Sequence, residues 1–289
     1  MSSLPGRAVK PAQGAALLAL SALLFSLMGV GIREVSTTVG NESVVFFRNL
    51  VGVLFFLPLL LSKGIAPLRT RRLKSHLWRT TYGLAAMYCF FYAIAHLPLA
   101  DAMIFTYAAP VFTPIIAWWW IREPLSRRML GMALVGLCGV LLVAKPSSAL
   151  LDAQALVGVA ASLLAACAFV SIREMSDTEP VYRIVFYFSL FSALISAIPL
   201  LWAWQPLSLH ELGLLGIIGL LATTSQLVMS KAYSLAPPGL IGPFAYLAIV
   251  FSGIIAWQLW GETPDLGSLL GAGLIFSASL LSISRSRQG

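Results

Sequence analysis

Apolar positions fill long, uninterrupted stretches of this chain, and the polar positions between them are few and clustered. Runs free of Asp, Glu, Lys and Arg occupy 11–32, 80–100, 102–121, 129–144, 153–172, 184–210, 212–230, 232–261 and 266–284. A further run, 49–62, extends back through Val44–Phe47 and is broken only by Arg48. A helix crosses the hydrocarbon core with about 17–25 mostly apolar residues. The pattern therefore predicts ten spans, near 13–33, 42–62, 77–96, 100–121, 129–145, 154–173, 180–203, 210–234, 238–260 and 266–284. Lipid gives the backbone no hydrogen-bond partners, so each span is expected to be helical. Strands of a membrane β-barrel would alternate apolar and polar residues over about ten positions. Stretches such as Ala15–Val30 do not alternate.

Composition sharpens this picture. Of 289 residues, 59% are hydrophobic and 10% charged, against about 25% charged in ordinary soluble domains; mean hydropathy is +0.89. A soluble chain of this size could not hide so much apolar surface from water. A soluble enzyme, a secreted disulfide scaffold, a disordered chain and a collagen are excluded, and a polytopic membrane protein is left. Arg7 and Lys10 before the first apolar run imitate a signal peptide, but that run is long enough to span, so it reads as an uncleaved first helix. Cys89, Cys138 and Cys167 all fall within spans and form no metal or redox pattern.

The net charge of +8 and pI near 9.7 would suggest nucleic-acid binding in a soluble protein. Here the positions of the charges explain them without a nucleic-acid partner. With both termini cytoplasmic, fifteen basic residues fall on the cytoplasmic side and two, Arg33 and Lys145, on the other. The loop from second to third span alone contributes Lys63, Arg69, Arg71, Arg72, Lys74 and Arg79. This is the positive-inside pattern. It predicts a multi-pass membrane protein with both ends in the cytoplasm.

The two halves repeat one unit. A shift of 139 residues superposes Ile115-Ile116-Ala117-Trp118 on Ile254-Ile255-Ala256-Trp257, and pairs Phe105 with Phe244, Tyr107 with Tyr246, Ala109 with Ala248 and Glu123 with Glu262. These are eight identities within 19 positions. A unit of five helices ends on the side opposite its start, so the second copy is inverted. The expected fold is thus an all-α membrane protein: ten transmembrane helices in two inverted five-helix repeats, residues 1–150 and 151–289, around a central cavity. Inverted repeats of this kind characterise secondary transporters, whose like halves exchange shapes and open a central site to each side in turn.

Ten spans in two halves, Phe47-Arg48-Asn49 near the start of the second helix, and Arg122-Glu123-Pro124 closing the fourth together resemble the EamA branch of the drug/metabolite transporter superfamily. The resemblance covers essentially the whole chain. It implies an inner-membrane carrier that exports a small amino-acid-like metabolite, an amino acid or an amino-acid-derived compound such as a metallophore. Import or exchange of a small metabolite, for example an adenosylated one, is the alternative within the class; a solute channel is the alternative outside it. The single-repeat multidrug relatives carry a membrane-embedded Glu in the first helix, whereas span 13–33 has no acid.

Charges inside a span are costly and usually face a cavity. Arg48 and its positional counterpart Arg183 are accordingly candidates for a substrate carboxylate contact or a gate tie; the alternative for each is a snorkelling arginine, or one pinned to helix-end carbonyls. Pro110 and Pro114 each remove a backbone bond in the fourth span and free the carbonyls of Thr106 and Pro110 beside Tyr107. Tyr107 and Tyr246 are therefore expected to line the cavity. Tyr82 and Tyr88 of the third span, and Gln226 of the eighth, complete the substrate-binding set, because phenol and amide groups beside aromatic walls suit a small amphiphilic solute. The alternative for Tyr107 and Tyr246 is interhelical hydrogen bonding, and for Tyr82 and Tyr88 packing or an interfacial belt. All eleven acids lie at span ends or in loops, so proton carriers would be peripheral: Asp101, His96 or Glu42. Glu123 and Glu262 are expected to cap or tether helix ends. Gly267 and Gly271 form GxxxG, which permits close helix packing.

No HExxH, P-loop or GxSxG motif occurs, and three histidines, His76, His96 and His210, are dispersed. No enzyme activity, cofactor or metal is expected. The expected partners are the small-molecule substrate and the lipid bilayer; a homodimer, or outer-envelope export partners for a substrate that leaves the cell, remain open.

Overall fold

The computed structural model describes residues 10–96, 99–145, 155–261 and 263–284. These residues contain helices and no strand. In chain order they are α1 (Pro11–Val35), α2 (Asn41–Leu54), α3 (Leu57–Lys63), α4 (Leu73–His96), α5 (Leu99–Ile121), α6 (Arg127–Ala144), α7 (Ala155–Met175), α8 (Val181–Ala203), α9 (Leu209–Leu235), α10 (Pro238–Ile241), α11 (Leu247–Trp260) and α12 (Leu266–Ser284). Short 3₁₀ turns cover Ala66–Leu68 and Gly242–Tyr246. Among the described residues, eight stretches are long and apolar enough to cross a membrane, counting Asn41–Lys63 and Pro238–Trp260 as one each; Tyr107–Ile121 is a shorter apolar helix. Leu61, Leu201, Trp202 and Leu156 are among many large apolar side chains left exposed on the outer surface, as expected where lipid, not water, is the solvent.

Breaks and ends follow local chemistry. Pro58 has no N–H to give and sits in the first turn of α3, just after α2 stops at Phe55. Pro238 and Pro243 similarly mark the short turns between α9 and α11. Gly261, at φ 69°, ends α11 in the left-handed conformation that favours glycine. Ser208 and Glu211 form a reciprocal capping box at the start of α9. Asp265 caps α12 by accepting from Ser268 N at 3.0 Å, and it pairs with Lys145 at the end of α6. That pairing, together with the bonds from Ser268, holds its carboxyl below the usual carboxylate range.

Helices meet where small residues let backbones approach. A Cβ on Gly139 would lie 2.7 Å from the Gly271 carbonyl, and one on Gly271 would lie 2.5 Å from the Gly139 carbonyl. Gly271 of the GxxxG pair is therefore used within the chain, packing α12 on α6. Pro114 and Pro110 of α5 lie against Gly239 and Gly242. Serines stitch α1 to α9: Ser225 Oγ donates to the Ser21 carbonyl at 2.8 Å, and Ser21 Oγ to the Ser225 carbonyl at 3.1 Å. Such bonds stand in for the hydrophobic force that lipid does not supply. A core of Leu18, Ile172, Ile184, Tyr233, Tyr246 and Ile275 joins helices from both halves.

Contacts place the loops at two ends. At one, Glu123 pairs with Arg173, whose Nη1 also donates to the carbonyls of Tyr233 and Ser234. At the other, Val35, Val39, Val44, Leu215 and Ile218 cluster, and the Arg33 guanidinium lies 3.9 Å over the Trp260 ring. Glu262 lies outside the described residues.

Candidate functional site

A cavity of about 290 Å³ lies among α1, α2, α4, α7, α8 and α9, small-metabolite scale by the usual size of ligand pockets. Most of its wall is apolar: Met28 and Ile32 of α1, Val44 and Val45 of α2, Ala161, Ala165 and Phe169 of α7, and Phe188 of α8. Its polar groups are few, and the charged ones are cationic. These polar groups are Arg48, Arg79, Gln226 and, at the exposed first residue of α2, Asn41.

Arg79 is 3% exposed. It belongs to the second turn of α4, not to the preceding loop where the charge pattern had placed it. Its Nη2 donates to Gln226 Oε1 at 3.4 Å, and its guanidinium carbon sits 4.3 Å over the Phe188 ring, a cation–π arrangement. Gly83, one turn on, makes room: a Cβ there would lie 2.3 Å from Arg79 Nη1. Arg48, seven residues into α2, has a single hydrogen bond, from Nη1 to Met87 Sδ at 3.6 Å. Arg48 Nε and the Nε and Nη1 of Arg79 are buried without partners. Among the described residues, no carboxylate lines the cavity. A buried cation without a counter-charge is expensive, and Arg79 is held here with none among the described lining residues.

The sequence signal for Arg79 was its place on a helical face. It shares the cavity side of α4 with Gly83, Ala86, Met87 and Phe90, at the spacing of one stripe. The tyrosine stripe of the same helix lies elsewhere: Tyr88 and Tyr92 are exposed and outside the described lining of the cavity. Tyr82 stacks on Trp78 and meets Trp120 edge-on. Tyr107 packs against the large core and Tyr246 lies fully within it; Tyr246 donates to the Ala133 carbonyl at 2.9 Å and rests on Gly136. Of the six expected substrate contacts, Arg48 and Gln226 line the cavity, and the four tyrosines lie outside its described lining. The side chains of Asp101 and His96 lie outside those described; Glu42 is exposed in the first turn of α2.

Polar ties close the bundle at the end away from Asn41. The α2–α4 connection and the α7–α8 corner are laced together there. Thr70 Oγ1 donates to Glu179 Oε1 at 2.7 Å, Arg72 pairs with Glu174 and donates to Thr178, and Tyr187 donates to the Leu68 carbonyl at 2.9 Å. Arg183 donates to the Pro67 carbonyl from Nε and Nη2, at 3.0 and 2.7 Å, and to Glu179 Oε2 from Nη1 at 2.9 Å. Arg183 thus bonds a backbone carbonyl and Glu179, outside the described lining of the cavity. His76, 1% exposed, lies 3.5 Å from Glu179 Oε2 and stacks on Tyr187.

The description "EamA-like transporter family" matches the chain twice, over residues 12–145 and 153–284. The chain belongs to the EamA-like transporter family. Its EamA relatives include the pseudopaline exporter of Pseudomonas aeruginosa (strain UCBPP-PA14), 33% identical over 279 residues that cover 96% of this chain and 97% of that protein. An uncharacterized transporter of Helicobacter pylori (strain J99) is 28% identical, covering 93% of each chain. An S-adenosylmethionine uptake transporter of Rickettsia bellii is 26% identical, covering 91% of each. A solved crystal structure only 18% identical shares the fold, with a TM-score of 0.79 over 95% of this chain and 99% of that one. The EamA match and the apolar helices make this a multi-pass membrane transporter of small molecules; the family and these relatives are transporters, not enzymes.

Proposed function

We propose that this protein is an inner-membrane secondary carrier that exports a small amino-acid-like metabolite by alternating access. In this reading ten spans form two inverted five-helix halves, residues 1–150 and 151–289, with both termini in the cytoplasm. The observation that carries it is the cavity itself. Its wall is drawn from α1, α2 and α4 of the first half and α7, α8 and α9 of the second, as a site at the interface of two repeats should be. The cavity reaches Asn41 near one end, while Thr70–Glu179 and Arg183–Pro67 tie the other shut. That asymmetry fits one of two alternating states, open to the side of the α1–α2 turn. The placements of Glu123 by Arg173 and of Trp260 under Arg33 support the inversion.

Export of an amino-acid-derived compound such as a metallophore is favoured by the relative that is 33% identical from end to end, a pseudopaline exporter. Uptake of an adenosylated compound, the activity named for the Rickettsia relatives, fits the cavity less well. S-adenosylmethionine carries a sulfonium cation, and Arg48 and Arg79 would repel it. Purified protein in liposomes should move substrate at a saturable rate. Flux that rises linearly with concentration would favour a channel and overturn the carrier.

A further inference from the structure

A buried guanidinium, Arg79, and a half-buried one, Arg48, share one small cavity, and their charges repel. Three of their nitrogens, Arg48 Nε and Arg79 Nε and Nη1, have no partner. Gln226 and Met87 are neutral, and Phe188 offers only its ring face. None of the described lining residues carries negative charge. A single carboxylate would neutralise one cation and leave the second unpaired at membrane depth, where an unpaired charge is costly. Guanidinium donors are also directional, matching planar carboxylates in two-point contacts.

We infer that the cavity recognises an amino-acid-derived compound bearing at least two carboxylates, one held by Arg48 and the other by Arg79. The two arginines lie on different helices, α2 and α4, and both line the one cavity. Gln226 is a positioning residue: its carbonyl oxygen accepts from Arg79 and fixes the guanidinium over Phe188. This assignment deepens the carrier reading and rests on it for the direction of movement. The anion site itself rests on the arginines alone.

The test uses the purified full-length protein and two probes of matched chain length, α-aminoadipate with two carboxylates and norleucine with one. The wild type should bind α-aminoadipate at least about tenfold more tightly than norleucine, since a hydrogen bond to a charged group is worth that much. R48Q and R79Q should each lose about tenfold for α-aminoadipate, and the variant of the arginine that does not hold norleucine's carboxylate should lose little for norleucine. R48K and R79K, which retain the charge without the fork, should recover part of the loss; this separates lost recognition from lost folding. Equal binding of the two probes by the wild type, no detectable α-aminoadipate binding, or an unchanged preference in both glutamine variants would overturn the assignment. Selective binding without saturable movement in liposomes would leave the anion site standing and remove the carrier. Saturable movement of a solute with no dicarboxylate preference would do the reverse.

Discussion

Arg173 donates from Nε to Glu123 Oε1 across 2.8 Å, joining the last turn of α7 to the residue two beyond α5. The side chains are 9% and 17% exposed, so neither charge is free to take water instead. Removing one partner of a buried pair strands the other, at a cost of about 3 kcal/mol or more. Glu123→Gln should therefore lower the thermal unfolding midpoint of the detergent-solubilised protein clearly. Arg173→Gln combined with it should cost less than the two single losses added together. Additive losses would mean that the pair contributes no coupling.

Tyr246 has its own consequence. Its hydroxyl reaches the Ala133 carbonyl and its ring fills the space left by Gly136. Tyr246→Phe should remove one hydrogen bond, about 1 kcal/mol, and keep the substrate preference of the wild type. Gly136→Ala should do more harm, because the added methyl would lie 2.3 Å from the ring and crowding of that kind costs about 1–3 kcal/mol. Urea or thermal unfolding measures both. A change of substrate preference in Tyr246→Phe would return this tyrosine to the substrate site.

How much of this was legible beforehand can be seen residue by residue. The apolar runs announced the helices, because length and the absence of charge are the whole requirement for a span. Arg48 announced the cavity, because a charge in a span has few other places to go. The tyrosines were harder to place. A phenol is equally at home against lipid, in a core or beside a ligand, and the spacing of Tyr88 and Tyr92 fixes a face without saying what that face meets. Arg79 was missed for the converse reason. Near a helix start its charge is indistinguishable from a loop charge until the stripe Arg79, Gly83, Met87 and Phe90 is seen to point inward. The ties of Glu179 to Thr70 and His76 join positions about a hundred apart, and no local pattern encodes such a meeting.

Gly83 supplies a test that leaves both arginines in place. A methyl group there would displace the Arg79 guanidinium and press on Phe188 Cε2, 3.0 Å away. The end of a long arginine moves more cheaply than backbone does, so the fold should survive. Gly83→Ala should weaken binding of α-aminoadipate several-fold, with a thermal midpoint close to that of the wild type. Unchanged binding would mean that the seat of Arg79 over Phe188 has no part in recognition.

The sides on which the loops emerge can be read chemically. Glu123 closes α5 beside Arg173, whereas Asp265 opens α12 beside Lys145. Single cysteines at Arg122 and Thr263, both exposed or bordering loops, should react with a membrane-impermeant maleimide from opposite sides in a background lacking Cys89, Cys138 and Cys167. Labelling of both from the same side would break the inversion, and with it the exchange of shapes between halves on which alternating access depends.

Acid should loosen the tied end of the bundle. Burial raises the pKa of the Glu179 carboxyl, but bonds from Thr70 and Arg183, with the charges of Arg183 and His76, outweigh it and hold the group below its usual 4.5. Burial pushes the His76 imidazole, just ahead of the expected span 77–96, below its usual 6.5; Glu179 opposes this, and Arg183 and Arg72 add to it. Both groups thus bind protons more weakly in the folded protein than in the unfolded chain, so stability falls as pH falls. The His76 contribution begins to be lost near its unfolded value of 6.5. The Glu179 contribution is fully present above 4.5 and lost as pH drops through its lower folded value. The thermal midpoint of the wild type should decline from about pH 7 to about pH 5, over the range of histidine titration. His76→Gln should flatten that decline, and Glu179→Gln should flatten the steeper loss below it while weakening the hold on Thr70 at every pH. A midpoint as steep in His76→Gln as in the wild type would place the acid-sensitive group elsewhere.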